Sequence, residues 1–439
     1  MTHPKYILYP NALGMEALSV VDFLTSVPLL QGLERSFLHK IAQMVTIMNY
    51  ECGDYVVRQG VAGLGIYFIW DGEADACGDF RHVIDESPDE FHLKRYDFFG
   101  HGISSSDQHV EVISLTKLTC LVLPHKHWHM LPQFNSIPNC NLQQILDLQA
   151  IRDSIFQGVT LPEAPAFTGR VFGGQFIGQA LVAAQRTVDP HMIVHSLNAN
   201  FLIAGDVDLP VMYEVIRARD GKRFSSRRVD ATQSGKLIFS LTASFQKEEG
   251  EIEHQYAQLP SVPDPDTLLS IDEIRQRRLI DPRLPRTYRN KLATTKHIPW
   301  PVEVRFCAPE NIATRYTKTP PSLRFWFKAK ENPSDDQSFH RCAVAYVSDL
   351  MISNIIPNPH RKKGLTIVPS TLNHSMWFHR DVRADDWLLH LVHTPSAYKS
   401  RGFVKSQIFN RNGELVASVG QEAALTFLKP REPKMESKM

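Results

Sequence analysis

The sequence predicts an α+β protein in which a small β-barrel or roll precedes two copies of one unit, each a buried helix wrapped by an antiparallel sheet. In a predicted helix at 170–185, a broad apolar stripe and small residues cover most faces, so other backbone must wrap it closely. Strand-like runs separated by turn signals follow, and this order recurs near the end of the chain. In the two copies, 40 residues separate His195 from Gly235 and 39 separate His374 from Gly413. This agreement indicates an internal duplication.

The composition excludes several classes of protein. The 439 residues suffice for two or three domains, and 43% hydrophobic and 22% charged residues with a net charge of +1 are typical of a soluble globular protein. Because positive and negative charges are nearly equal in number, the composition predicts no nucleic-acid partner. The six cysteines lack metal-ligand spacing, which predicts buried free thiols in a reducing compartment. We expect no metal, no secretory leader and no membrane-spanning segment.

The tail at 431–439 ends in Ser437, Lys438 and Met439. This tripeptide is a one-residue variant of the Ser-Lys-Leu signal that a peroxisomal import receptor reads. An ordinary disordered polar end is the alternative. The tail therefore predicts an import receptor as a partner and the peroxisomal matrix as the location.

The region 15–131 begins with helix-like apolar spacing and continues with short strands at regular intervals. Its segments 53–60, 67–73 and 96–100 resemble a cyclic-nucleotide-binding domain. The resemblance implies a small barrel at this end of the chain.

The residues that bind the nucleotide in that family do not recur here. His101 follows Phe99-Gly100, the phosphate-binding arginine is replaced by Gln108, and no arginine occurs between Arg95 and Arg152. A buried phosphate without a guanidinium loses a bidentate charged contact. We therefore expect the fold to be retained and cyclic-nucleotide binding to be lost.

A connector with a predicted helix at 142–155 spans 132–160. The plan of a central helix and an antiparallel sheet is the hotdog plan, so the chain predicts a double hotdog. We place the first hotdog at 161–258, a linker with a charged helix-like stretch at 259–300 and the second hotdog at 301–430. Strands of these units are predicted at 191–203, 210–219, 224–232, 236–246, 387–394, 401–410 and 414–427.

From about residue 140 onward the chain is similar to the acyl-CoA thioesterase II family, and as a whole it resembles the plant peroxisomal type with an N-terminal cyclic-nucleotide-binding-like domain. The resemblance implies a thioester hydrolase with the double-hotdog fold. It is carried by motifs at 171–175, 194–197, 229–231, 243–246, 262–265, 374–379 and 401–404.

The resemblance also implies three catalytic residues: Asp349, Thr371 and Gln421. In that family such a trio activates water for attack on the thioester, which requires a base and groups that position the water. We predict the second central helix at 336–349 and place Asp349 in its last turn, where the negative end of the helix dipole would disfavour its ionisation. The family often has Asp at Asn373 and His at Asn198, two departures that could change the polarity of the pocket.

We assign candidate substrate-binding roles to further positions of the matched motifs. Ordinary structural roles compete with each of them: a strand-crossing histidine is often a satisfied core residue, and a large aromatic is often core. These candidates are Gly173, Gly174, Gln175, His195, His374 and Trp377.

The sequence thus predicts a cofactor-independent peroxisomal hydrolase that converts fatty acyl-CoA to free fatty acid and CoA, and that forms a homo-oligomer by analogy with other hotdog proteins. A hotdog enoyl-CoA hydratase is one alternative, which would release no free thiol from saturated acyl-CoA. A cyclic-nucleotide-sensing binding protein is the other, and a flat calorimetric titration would exclude it.

Overall fold

The computed structural model describes residues 17–58, 61, 63–77, 88–100, 111–131, 140–167, 169–247, 250, 252–308, 318–330, 335–362 and 365–428. The chain divides into two compact units. Unit 1 comprises Met1–Ile137 and Asp272–His297, and unit 2 comprises Pro138–Ile271 and Ile298–Met439. Each unit is described separately below.

Unit 1 begins with helices α1 (Ala17–Ser26) and α2 (Arg35–Met44). Its described strands form two four-stranded sheets, in the orders β1-β8-β3-β6 and β2-β7-β4-β5. The strands are β1 (Thr46–Tyr50), β2 (Tyr55–Val57), β3 (Gly65–Asp71), β4 (Ala74–Cys77), β5 (His92–Leu93), β6 (Phe98–Gly100), β7 (Glu111–Ser114) and β8 (Leu118–Pro124). This confirms the predicted small β domain. His101 and Gln108 lie outside the described residues, so the loss of nucleotide binding stays a prediction.

The first half of unit 2 contains helix α4 and the strands that wrap it. Its elements are α3 (Leu142–Leu146), β9 (Gln149–Arg152), β10 (Ile155–Gly158), β11 (Ala166–Phe167), β12 (Arg170–Val171), α4 (Gly173–Gln185), β13 (Met192–Phe201), β14 (Val211–Asp220), β15 (Phe224–Gln233) and β16 (Lys236–Lys247). Ten of the thirteen residues of α4 are buried, as its sequence predicts.

The connector departs from its prediction, because the helix expected at 142–155 ends at Leu146. Asn141 caps its start, but Asp147 is extended and its carboxylate accepts a hydrogen bond from its own successor, Leu148. A left-handed Ser154 (φ 65°) then turns the chain into a β9–β10 hairpin at the sheet edge. A short apolar run does not distinguish a strand from a helix, so the pattern was ambiguous here.

The predicted linker at 259–300 differs from expectation in where it packs. Its helix-like stretch forms helices α5 (Ile271–Ile280) and α6 (Arg286–Thr294), and most of the segment belongs to unit 1. Leu279 and Ile280 are buried in the same apolar core as α1 and α2. Arg289, which is 1% exposed, donates a hydrogen bond to the Phe98 carbonyl oxygen. This segment is therefore part of a folded core rather than a linker.

The second half of unit 2 repeats the plan of the first. Its elements are β17 (Val302–Phe306), β18 (Ser322–Ala329), α7 (Gln337–Ser348), β19 (Thr366–Phe378), β20 (Leu388–Tyr398), β21 (Arg401–Asn410) and β22 (Leu415–Leu428). The two halves join where β13 and β19 pair antiparallel, which gives one 12-stranded sheet among the described residues. Helices α4 and α7 pack against each other in antiparallel directions, because Gly174 lies beside the Tyr346 backbone and Gly178 lies beside Cys342. This architecture confirms the double hotdog.

Candidate active site

The side chain of Gln421 is the centre of a polar cluster in unit 2. It is fully buried in the middle of β22. Its amide nitrogen Nε2 lies 3.0 Å from Asp349 Oδ1, 3.0 Å from Thr371 Oγ1 and 2.7 Å from Ser353 Oγ. The structure therefore brings the three predicted catalytic residues together around one amide group.

A β-bulge in β19 makes this cluster possible. Gln421 lies directly opposite His374 in the β19–β22 pair, and the register shifts by one residue between Thr371 and Asn373. Residues three apart in a regular strand face opposite sides of the sheet. The extra residue, Leu372, lets both Thr371 and His374 point toward Gln421. No feature of the sequence that we used indicates this bulge.

Asp349 caps the C-terminus of α7, close to its predicted position in the final turn. The chain then passes through Met351, whose φ of 63° is left-handed, into a single 3-10 turn at Ile352–Ile355. This tight path brings Ser353 back to Gln421. We did not predict Ser353 as a site residue, because a left-handed methionine has no sequence signal of the kind that glycine supplies.

Gly173 and Gly174 lie at the start of α4, next to Asp349. The backbone N–H of Gly174 donates a hydrogen bond to the Asp349 carboxylate. A Cβ atom on Gly173 would lie 2.5 Å from Asp349 Oδ2, and one on Gly174 would lie 2.1 Å from the Tyr346 carbonyl oxygen. These glycines let the two helices approach closely enough for backbone of the first half to hold a carboxylate of the second.

Burial raises the pKa of Asp349 to about 7, and the hydrogen bonds from Gln421 and the Gly174 N–H partly oppose this rise. From the sequence we expected the helix dipole of α7 to be the cause. The carboxylate also faces the N-terminus of α4, whose positive end favours ionisation. Loss of hydration is thus the main reason that this carboxylate is a stronger base than an exposed one.

His374 is fully buried beneath the cluster. Its Nδ1 lies 2.5 Å from Gln421 Oε1, and its Nε2 lies 3.0 Å from Ser348 Oγ. Burial lowers the pKa of His374 to about 4, so the ring is neutral at pH 7. Both of its nitrogen atoms contact protein side chains, which favours a role in support of Gln421 over the predicted contact with substrate.

The other predicted substrate-binding residues do not join this cluster. Gln175 Nε2 donates to Thr160 Oγ1 at 3.1 Å, and His195 Nε2 lies 2.9 Å from Ser244 Oγ. Trp377 follows Thr371 by six residues, which is about 20 Å along a strand. His195 and Trp377 instead line an open cleft of about 1210 Å³.

The described part of the chain shows no metal centre and no membrane span. Within it, no group of three or more His, Cys, Asp or Glu side chains is arranged to hold a metal ion. No described helix is long and apolar enough to cross a membrane.

Comparison with known proteins identifies the chemistry of unit 2. The family model described as acyl-CoA thioesterase matches residues 297–424, and that of the acyl-CoA thioesterase N-terminal domain matches residues 162–246. Acyl-coenzyme A thioesterase 8 of Mus musculus is 36% identical over 291 residues, which cover 65% of this chain and 89% of that protein. The crystal structure of the acyl-CoA thioesterase II TesB2 from Mycobacterium marinum is 34% identical with a TM-score of 0.52, covering 66% of this chain and 99% of the other.

Two further relatives match the thioesterase region and the N-terminal region. The peroxisomal acyl-coenzyme A thioester hydrolase 1 of Saccharomyces cerevisiae is 24% identical over 339 residues, which cover 66% of this chain and 96% of that protein. The N-terminal region is similar to the cGMP-dependent protein kinase, isozyme 1, of Drosophila melanogaster, at 33% identity over 24% of this chain and 14% of the kinase. The chain therefore belongs to the acyl-CoA thioesterase II family, and it carries an N-terminal region similar to cyclic-nucleotide-binding domains.

Proposed function

We propose that this thioesterase hydrolyses fatty acyl-CoA to free fatty acid and CoA, with Asp349 activating a water molecule that Thr371 and Gln421 position. The observation that supports this proposal most strongly is the convergence of three side-chain oxygens on the Gln421 amide within 3.0 Å. A carboxylate with a raised pKa beside a hydroxyl and an amide has the groups that water activation needs.

Counting hydrogen atoms supports a place for water. The Gln421 amide has two N–H hydrogens and three oxygen neighbours, so it cannot donate a full hydrogen bond to all three. A hydroxyl that is not fully engaged by the amide keeps hydrogen-bonding capacity for a water molecule. The half-buried Thr371 and Asp349 lie on the accessible side of Gln421, whereas Gln421 itself is fully buried.

The proposed reaction balances without a cofactor. The water oxygen attacks the thioester carbonyl carbon, and its proton passes to the Asp349 carboxylate. The tetrahedral intermediate then collapses, the carbon–sulfur bond breaks, and the leaving CoA thiolate takes the proton from Asp349. The products are a carboxylic acid and CoA thiol, and the carboxylate is regenerated. No serine nucleophile is required, and the sequence contains no Gly-x-Ser-x-Gly elbow.

The purified protein is expected to release free thiol from saturated and unsaturated acyl-CoAs, with kcat/KM falling as the pH decreases through about 7. The decline follows because only the ionised Asp349 can accept a proton from water. The measurement is thiol release across an acyl-chain panel between pH 5 and pH 9. A hydratase would instead consume 2-enoyl-CoA without thiol release and would leave saturated substrates intact. Absence of hydrolysis on every thioester would contradict the proposal.

We also propose that the protein acts in peroxisomes. Support comes from the Ser437-Lys438-Met439 tail, which lies outside the described residues, and from the name of the yeast relative. A fluorescent protein fused to the N-terminus is expected to appear in peroxisomes with the intact tail and in the cytosol when the last three residues are removed. An unchanged distribution after removal would contradict the role of the tail.

A further inference from the structure

Three buried side chains form a line of hydrogen-bond contacts that leads to Asp349, the proposed base. Ser348, His374 and Gln421 are each 0% exposed. Ser348 Oγ lies 3.0 Å from His374 Nε2, and His374 Nδ1 lies 2.5 Å from Gln421 Oε1. The line ends at the 3.0 Å contact between Gln421 Nε2 and Asp349 Oδ1.

The hydrogen atoms in this line can be assigned from the chemistry of its ends. An ionised carboxylate can only accept, so the Gln421 group that faces Asp349 must be the NH₂ group. The opposite end of the amide is then the carbonyl oxygen, which also only accepts. His374 Nδ1 must therefore carry the hydrogen atom that binds Gln421 Oε1.

The remaining assignment follows from the neutral charge of the ring. A neutral imidazole has one N–H, so His374 Nε2 carries a lone pair and must accept a hydrogen bond. Ser348 supplies the hydrogen atom to it. The same hydroxyl can reach the Ala345 carbonyl oxygen at 2.7 Å, so the histidine competes with backbone for this donor.

We propose that His374 is a positioning residue, which in its Nδ1–H tautomer holds the Gln421 amide with its NH₂ group toward Asp349 and Thr371. This inference rests on the proposed roles of Asp349 and Gln421. The two ends of a glutamine amide have nearly the same size, so packing alone does not select one orientation. Without the histidine donor the Gln421 carbonyl oxygen is buried with no donor, and whenever Asp349 is protonated its O–H can donate to that oxygen instead. The amide can then rotate by about 180°, which directs its oxygen toward Asp349 and removes its donors from the water site.

Two substitutions at His374 separate this role from simple packing. In His374→Asn the amide nitrogen lies near the former Nδ1 and can still donate to Gln421. In His374→Gln the amide lies near the former Nε2 and can bind Ser348 instead. Both side chains are polar and smaller than imidazole, so they are matched controls for the loss of packing.

We expect His374→Asn to retain kcat within about threefold, because the donor to Gln421 is kept. We expect His374→Gln to lower kcat by about 10²-fold with little change in KM, as loss of precise positioning does in enzymes. In His374→Gln the acidic limb of the pH–rate profile should also move to higher pH, because a flipped amide no longer stabilises the ionised Asp349. Circular dichroism and urea unfolding would establish that both variants are folded.

Equal losses in the two variants with an unchanged acidic limb would overturn the inference, as would full activity of His374→Gln. Gln421→Ala, measured in parallel, distinguishes the possible failures. If Gln421→Ala remains active, the proposed function of Gln421 fails; if it is inactive while His374→Gln is unaffected, the positioning role alone fails.

A spectroscopic test does not depend on activity. In protein labelled with ¹⁵N-histidine, the His374 signals, identified by their absence from His374→Asn, should show a protonated Nδ1 and an unprotonated Nε2 from pH 6 to pH 8. A protonated Nε2 with a bare Nδ1 would overturn the assignment.

Discussion

Asp349→Asn is expected to abolish thioester hydrolysis while making the folded protein more stable at pH 8. Asparagine has nearly the shape of aspartate, and its amide oxygen can still accept the hydrogen bond from Gln421 Nε2, whereas its NH₂ group cannot accept the one from the Gly174 N–H. It cannot accept a proton from water. We therefore expect kcat to fall by at least about 10³-fold, at the upper part of the usual range for loss of a general base. The measurement is thiol release from the best acyl-CoA of the panel.

The gain in stability follows from the raised pKa. The pKa of Asp349 is about 7 in the folded protein, whereas the ordinary pKa of an aspartate is 3.8. The folded state therefore binds a proton at Asp349 more tightly than the unfolded state. As the pH rises from about 4 to 7, the wild-type protein loses stability, and above pH 7 the loss is complete. Asparagine carries no charge, so the variant avoids this loss.

We expect the free energy of unfolding of Asp349→Asn to exceed that of the wild type by about 2 kcal/mol at pH 8 and by less than half as much at pH 5, after allowance for partial hydration of the carboxylate and for the lost hydrogen bond from Gly174. Urea unfolding at the two pH values measures the difference. Asp335→Asn is a suitable control, because the Asp335 side chain is 90% exposed. This substitution should alter neither the activity nor the difference in stability between the two pH values. A variant that retains a tenth of the activity, or that is less stable at pH 8, would contradict this prediction.

Removal of residues 1–137 is expected to make the remaining chain aggregate. Helices α5 and α6 stay in the truncated protein, but their apolar partners in unit 1 are gone. Leu279, Ile280 and Ala293, which are at most 6% exposed in the intact protein, would face water. Arg289 would also lose the Phe98 carbonyl oxygen that accepts its hydrogen bond. Size-exclusion chromatography of the truncated chain tests this result.

A double substitution, Leu279→Gln with Ile280→Gln, provides a control, because it should improve the truncated chain and damage the intact chain. In the truncated chain it removes the two largest of these three exposed apolar side chains and should restore soluble protein. In the intact chain it places two amides in a buried core and should lower the stability of unit 1 by about 3 kcal/mol or more. A monodisperse truncated protein without the substitutions would contradict the prediction.

Much of unit 2 could be predicted from local patterns. Strand β21 occupies the predicted residues, and β15 differs by one residue at its end. The reason is that turn glycines fix where each strand stops: Gly235 and Gly413 adopt φ values of 73° and 82°, which other residues rarely adopt. Alternating side-chain patterns then fix which face of each strand is buried.

The site was predicted from the family resemblance rather than from periodicity, and its further members depend on long-range packing. Ser353 contacts Gln421 because the left-handed backbone at Met351 turns the chain back toward it. Thr371 contacts Gln421 because the bulge at Leu372 changes the face of the sheet on which Thr371 lies. Helices α5 and α6 have a charged composition that resembles a linker, and their role appears when they pack on residues far away in the sequence. The predicted homo-oligomer and the import receptor stay predictions.

Asp349 occupies the residue after α7, and the residue in the same place after α4 is Arg186. A smaller cleft of about 240 Å³ lies there, lined by Arg186 and by Asp336 and Ser338 at the start of α7. Two identical subunits related by a twofold axis would have to carry the same residue at both places. Fusion of the two copies into one chain removes this symmetry requirement, so one half can keep the carboxylate while the other evolves independently.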